Sequence, residues 1–158
     1  MSGTILIAPM VLQGFLMFFD EFFFHHKRGL PKWEILGHPL DTMSVITPLL
    51  LTLFFEPSPV MVTFYALLAV FSCFLICKDE WVHKDLCSHG EMALHALLFS
   101  LHPLVFLSIY QIWKIKNLTI VNFELSSNTI ILGQVILVFS FLVYQITYWI
   151  FYYGYNNK

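Results

Sequence analysis

Charged residues are scarce in this chain of 158 residues: Asp, Glu, Lys and Arg make up 11% of it, against about 25% in ordinary soluble domains. That excludes a conventional solvated surface. A basic surplus is also missing, since the net charge is −2 with His neutral. The composition therefore offers no electrostatic footprint for nucleic acid. Cysteine is limited to Cys73, Cys77 and Cys87, an odd number without zinc-finger spacing, which argues against a disulfide framework. Cys73 and Cys77 sit in an apolar run and read as plain buried thiols. No basic segment and no small-residue cleavage site precede Asp20 and Glu21, so the N-terminus reads as a retained first span rather than a removed leader.

What is abundant is apolar. Hydrophobic residues make up 58% of the chain, with 17 Phe, 7 Tyr and 4 Trp. A hydrocarbon layer about 30 Å thick takes about 20 helical residues to cross. Five stretches meet or approach that length: Thr4 to about Phe24, Pro31 or Leu40 to Phe55, Val60 to Lys78, Glu91 to Trp113, and Thr129 to Tyr153. Pro57 and Pro59 mark a tight turn, and residues 114–128 read as a polar loop. Tyr144, Tyr148, Trp149, Tyr152, Tyr153 and Tyr155 crowd the last span's end as an interfacial aromatic belt does. The expectation is an all-α integral membrane protein forming one domain over 1–158, with five transmembrane helices. Lys27, Arg28, Lys32, Lys78, Lys84 and Lys158 then share one side, with only Lys114 and Lys116 opposite. That bias predicts the N-terminus outside and the C-terminus in the cytoplasm, at the plasma membrane or, in a bacterium, the inner membrane. Asn117-Leu118-Thr119 matches a glycosylation acceptor on the predicted outer side and reads as a chance match.

The polar residues are not scattered. All seven His lie between His25 and His102. Apart from Glu56 and Glu124, the acids fall with them in two regions at one membrane face. Acids standing four residues before a His include four pairs near the ends of the first four spans: Glu21 and His25, Glu34 and His38, Asp79 and His83, Glu91 and His95. Residues four apart lie on one helix face, one turn apart, and can share a metal ion. Glu21 to Asp79 is 58 positions and Glu34 to Glu91 is 57, which suggests a duplicated helical hairpin. The two copies span about 4–56 and 60–113, with the fifth helix at about 129–153. Parallel repeats related by an axis along the membrane normal would form a four-helix bundle with the four pairs meeting at its cytoplasmic end.

These eight residues are the expected metal ligands. Asp20, Asp41, Glu80, His89 and His102 are expected around them as orienting or proton-carrying groups. Asp41, His89 and His102 are the candidates for a direct catalytic part, and Asp79 and Glu80 compete for one ligand position. The nearest chemical template is the dimetal carboxylate bundle, in which facing helices supply inward Glu and Glu-x-x-His pairs. The spacing here is four rather than three. The HxxxH and HxxHH boxes of membrane hydroxylases and desaturases are absent. Mixed carboxylate and imidazole donors fit one or two iron ions best, zinc or manganese next. A haem between histidines such as His95 or His102 would leave the paired acids unused.

Blander readings stand beside these. Ser88 to Glu91 fits a capping box, and Pro31 with Glu34 fits a helix start. His26 reads as interfacial, Lys84 and Asp85 as loop charges, and His102 as a hydrogen-bonding contact between helices. The cluster as a whole favours metal, because ionisable groups within spans are costly and usually functional. The expected function is a metal-dependent oxidoreductase acting on a lipid or other apolar substrate at the cytoplasmic face, with a redox partner. A zinc hydrolase is the variant of that chemistry. A metal-ion or proton transporter, or a non-catalytic subunit of a membrane complex, are the alternatives.

Overall fold

The structure, a computed structural model, describes residues 3–79, 86–121 and 123–154. Helix α1 runs Gly3–Arg28, α2 Lys32–Phe54, α3 Pro59–Ile76, α4 His89–Trp113 and α5 Ser127–Tyr153. Their starts follow from local chemistry. Ser58, Ser88 and Ser126 each accept a hydrogen bond from the backbone N–H three residues on, satisfying a donor the first turn leaves orphaned. Pro59 follows Ser58 at the first helical position, where its missing N–H costs nothing.

Four of these helices, α1, α3, α4 and α5, are long and apolar enough to cross a membrane. Helix α2 has 23 residues, enough length, but Glu34, His38, Asp41, Thr42, Ser44, Thr47 and Thr52 dilute its apolar content. The burial pattern runs opposite to that of a soluble protein. Phe54 is 72% exposed and Phe74 75%, whereas Glu34 is 0% exposed and Glu91 2%. Large apolar side chains facing outward, with acids and histidines buried beside the apolar core, suit a hydrocarbon solvent, in which polar groups must be satisfied internally.

Helix α1 packs along α4, and α2 packs on both α3 and α5, while α3 and α5 also touch α4. The first helix is thus paired chiefly with the fourth rather than with its chain neighbour. The stretch expected as a polar loop contains an antiparallel hairpin, β1 Asn117–Ile120 with β2 Phe123–Ser126. Alternating Leu118 and Ile120 among polar residues makes the strand, and Leu118 is buried beneath it. Val121 takes a positive φ of 50° at the turn. Asn117 of the glycosylation-like triplet is paired within this hairpin, opposite Ser126. Gly3 lies so close that a Cβ there would sit 2.6 Å from the Thr119 carbonyl oxygen, so α1 begins against the strand.

Candidate metal centre

The π-helical stretch Asp20–His25 near the end of α1 builds half of the site. A π turn closes i to i+5 rather than i to i+4, so Asp20 and His25 come to one face together. His25 Nε2 lies 3.3 Å from Asp20 Oδ2, and His25 Nδ1 lies 3.5 Å from Glu21 Oε2. The other half comes from the first two turns of α4, where Glu91 and His95 stand four apart. Because α1 and α4 pack together, the halves meet. His95 Nε2 is 3.1 Å from Asp20 Oδ1, and His25 Nε2 is 4.0 Å from Glu91 Oε1. One donor atom from each of Asp20, His25, Glu91 and His95 falls within 4.8 Å of the others, and all four residues are buried.

Glu21, Glu34 and His38 border this set. The Trp149 indole N–H of α5 donates to Glu21 Oε1. The His38 ring lies 4.7 Å from that of His25, centroid to centroid, and 3.9 Å from Glu34 Oε2. Arg28 closes the group. Its Nη2 donates to Glu34 Oε2 at 2.7 Å, and its Nε donates to Glu91 Oε1 at 3.1 Å. Four carboxylates therefore surround three imidazoles, with Arg28 as the one guanidinium paired to them among the described residues. With neutral imidazoles that leaves a buried net charge of −3, which protonated His or a bound cation must offset.

Of the eight expected ligands, the structure brings His25, Glu91 and His95 into the four-donor set and places Glu21, Glu34 and His38 at its edge. Asp79 ends a short turn, Cys77–Asp79, and its side chain, like the whole of Glu80 and His83, lies outside the described residues. So do Lys84 and Asp85. Asp20, expected only as a supporting group, supplies the fourth donor. The Ser88 half of the capping box is present, since Ser88 Oγ accepts from the Glu91 backbone N–H at 3.3 Å, while the Glu91 carboxylate accepts from Arg28.

The three catalytic candidates separate. Asp41 is held by Lys78, whose Nζ donates to both carboxylate oxygens at 2.6 and 2.7 Å. His89 is exposed at the start of α4. His102 is buried and hydrogen-bonded to Gln13 and Ser72, the contact between helices that the duller reading expected. His26 is exposed, bonded to Tyr144 and stacked on Tyr148 with ring centroids 4.6 Å apart, as an interfacial residue would be. Arg28 was missed as a site residue, being counted among the loop charges. Its signal was its position three residues after His25, on the same helix face.

A cavity of about 130 Å³ opens beside the cluster. Asp20, Glu21, His25, His38 and His95 form its polar end. Phe99, Val105, Phe106, Leu137, Val138 and Phe141 supply apolar wall further along. Cavities of this size lined by Leu, Ile and Phe accept molecules such as benzene.

Comparison with protein-family models, with curated proteins and with solved structures finds no match.

Proposed function

We propose that this chain is a five-span integral membrane metalloprotein, with α2 as the additional span, and that Asp20, His25, Glu91 and His95 hold a divalent ion at the cytoplasmic end of a helical bundle. The observation that carries the reading is His25. It is 1% exposed, neither ring nitrogen makes a hydrogen bond among the described residues, and carboxylates approach it on both sides. A buried imidazole left in that state among acids is explained by an ion that takes its lone pair.

Two imidazoles and two carboxylates make a mixed donor set suited to iron, with zinc and manganese as neighbours in preference. A bound ion of this kind supplies Lewis acidity and, for iron or manganese, one-electron chemistry. The chain's own residues do the rest. The Glu21 carboxylate faces His25 Nδ1 at 3.5 Å as a charge partner, and Trp149 fixes Glu21. Arg28 holds Glu34 and Glu91 in place, and the surrounding apolar helices exclude water. An apolar cavity against such an ion favours an oxidoreductase acting on a lipid or another apolar molecule that enters from the bilayer, with electrons from a separate redox partner.

The test is metal analysis of the purified full-length protein by mass spectrometry. Stoichiometric iron, lost in His25→Ala and His95→Ala and kept in His26→Ala, supports the reading. Stoichiometric zinc retains the site and replaces the redox chemistry with hydrolysis. A folded protein that binds no divalent ion rules the site out, and uptake of metal into vesicles would replace catalysis with transport.

A further inference from the structure

A line of hydrogen bonds crosses four helices beside the cavity and fixes the orientation of one amide. Gln13 Nε2 is 3.1 Å from His102 Nδ1, His102 Nε2 is 3.0 Å from Ser72 Oγ, and Ser72 Oγ is 2.7 Å from Ser44 Oγ. Ser44 Oγ ends the line 2.7 Å from the Asp41 backbone carbonyl oxygen. A carbonyl only accepts, so the single Ser44 hydroxyl proton must point at Asp41. Ser72 must then donate to Ser44, and His102 must donate to Ser72 from Nε2. That leaves Nδ1 as the acceptor on a neutral ring, and only the NH2 of Gln13 can serve it. A backbone carbonyl on α2 thereby sets the side-chain amide of α1.

The consequence falls on the other amide atom. Gln13 is 9% exposed and lines the cavity. Its Oε1 has no hydrogen-bond partner among the described residues, and turning the amide over would break the line at His102. A buried amide oxygen without a donor is destabilising by about 1–3 kcal/mol. Gln134 and Gln145 also carry amides on the cavity wall, but no donor among the described residues reaches Gln13 Oε1. The missing donor must come from whatever occupies the cavity.

We infer that the cavity binds a small, mostly apolar molecule carrying one O–H or N–H group, whose proton is accepted by Gln13 Oε1 while its apolar body lies against Phe106, Leu137 and Val138. This deepens the proposed function by naming a substrate class for the cavity that adjoins the ion. Gln13 precedes Asp20 by seven residues, about 10 Å at 1.5 Å per residue. The ligand's polar group is thus fixed two turns from the metal set, and the other end of the molecule is presented to it.

The experiment uses the full chain in lipid nanodiscs and two fluorinated probes of one shape, 4-fluorobenzyl alcohol with a donor and 4-fluorotoluene without. Fluorine NMR titration gives an apparent affinity for each. The ratio of the two, compared between wild type and Gln13→Leu, cancels their different partitioning into lipid. The expected result is a wild-type preference for the alcohol about tenfold greater than that of the variant, as one hydrogen bond to a buried acceptor gives. Gln13→Met serves if the leucine variant does not fold. Equal ratios, as would follow if a lone water satisfies the oxygen, overturn the inference, and so does a wild-type protein that binds neither probe. Metal content is read on the same samples. Bound metal without alcohol preference sinks this inference alone, and alcohol preference without metal sinks the ion site alone.

Discussion

Arg28 Nη2 lies 3.0 Å from Glu91 Oε1, the same oxygen that approaches His25 Nε2. A fixed guanidinium and a bound metal ion would therefore share one carboxylate oxygen. Arg28 is an internal counter-charge to Glu34 and Glu91, and a divalent ion bound at the proposed site would compete with it for Glu91. Replacing it by Gln should have two opposite effects. The metal-free protein should lose about 2–3 kcal/mol, less than a fully buried pair because the Arg28 side chain is 18% exposed. Its affinity for a divalent ion should rise, because the cluster becomes more negative. Thermal unfolding with and without added metal checks both. The variant should melt lower when metal-free and gain more from metal than wild type does. A variant that gains no more than wild type from metal contradicts the competition.

If the cluster binds metal, His38 separates a one-ion site from a two-ion site. Its ring lies tilted beside that of His25 and approaches Glu34, but it stands outside the four-donor set. Glu34 is already committed to Arg28 through two hydrogen bonds. A single ion on the four donors should survive His38→Ala with its stoichiometry unchanged and its affinity lowered by about tenfold, as loss of a supporting partner does. A second ion resting on His38 and Glu21 would be lost outright, halving the metal content. Metal per chain, measured in wild type and in this variant, separates the two outcomes.

Much of the site was legible in the sequence because its chemistry is concentrated. Acids and histidines crowded at one end of apolar spans are costly unless they meet, and the spacing of four picks out Glu91 and His95, which the structure places in one donor group. The same rule under-ranked Asp20, since it assumes 3.6 residues per turn and α1 widens to a π turn from Asp20 to His25. That widening brings Asp20 and His25 together at a spacing of five. Arg28 was invisible for another reason: a charge beside a membrane span is first read as a marker of orientation. The duplicated spacing suggests a repeated hairpin but says nothing of which helices touch, and α1 has its main neighbour in α4. Helix pairing depends on face shape, which a repeat of polar residues does not encode. The strands at 117–126 were hidden by their brevity, four residues each in a stretch dominated by polar side chains.

Cys87 lies in the segment leading into α4, next to this charge cluster. Burial pushes its thiol up to about 12; Arg28 pulls against that shift and the Glu91 carboxylate adds to it. An ordinary thiol titrates near 8.5, and the thiolate is the reacting form. A variant keeping only Cys87, with Cys73 and Cys77 changed to Ala, should react with iodoacetamide at pH 8.5 on the order of a thousandfold more slowly than a free thiol, at one factor of ten per pH unit. The rate should keep rising with pH well past 10. The sign for stability follows from proton counts. Between about 9 and 12 the folded protein retains a proton that the unfolded chain has lost, so this group's contribution to stability falls as pH rises. A rate that levels off near pH 9 would show an ordinary, solvated thiol instead.

Gly29 places Arg28 over the cluster, and its backbone explains how. It follows the last turn of α1 with φ 75° and ψ 158°, a region that only glycine occupies without strain. Its N–H donates to the His25 carbonyl oxygen at 2.8 Å, which closes the helix directly after the guanidinium that reaches Glu34 and Glu91. A Cβ at this position would also run into the Tyr153 hydroxyl near the end of α5. Gly29→Ala therefore meets backbone strain and a steric clash together, and should cost about 1–3 kcal/mol. The more telling outcome concerns the site. If the turn holds Arg28 in place, the alanine variant should repeat the metal response of Arg28→Gln, melting lower when metal-free and recovering more with added ion. A variant destabilised equally with and without metal would mean that Gly29 serves the backbone alone and that Arg28 finds Glu91 without it.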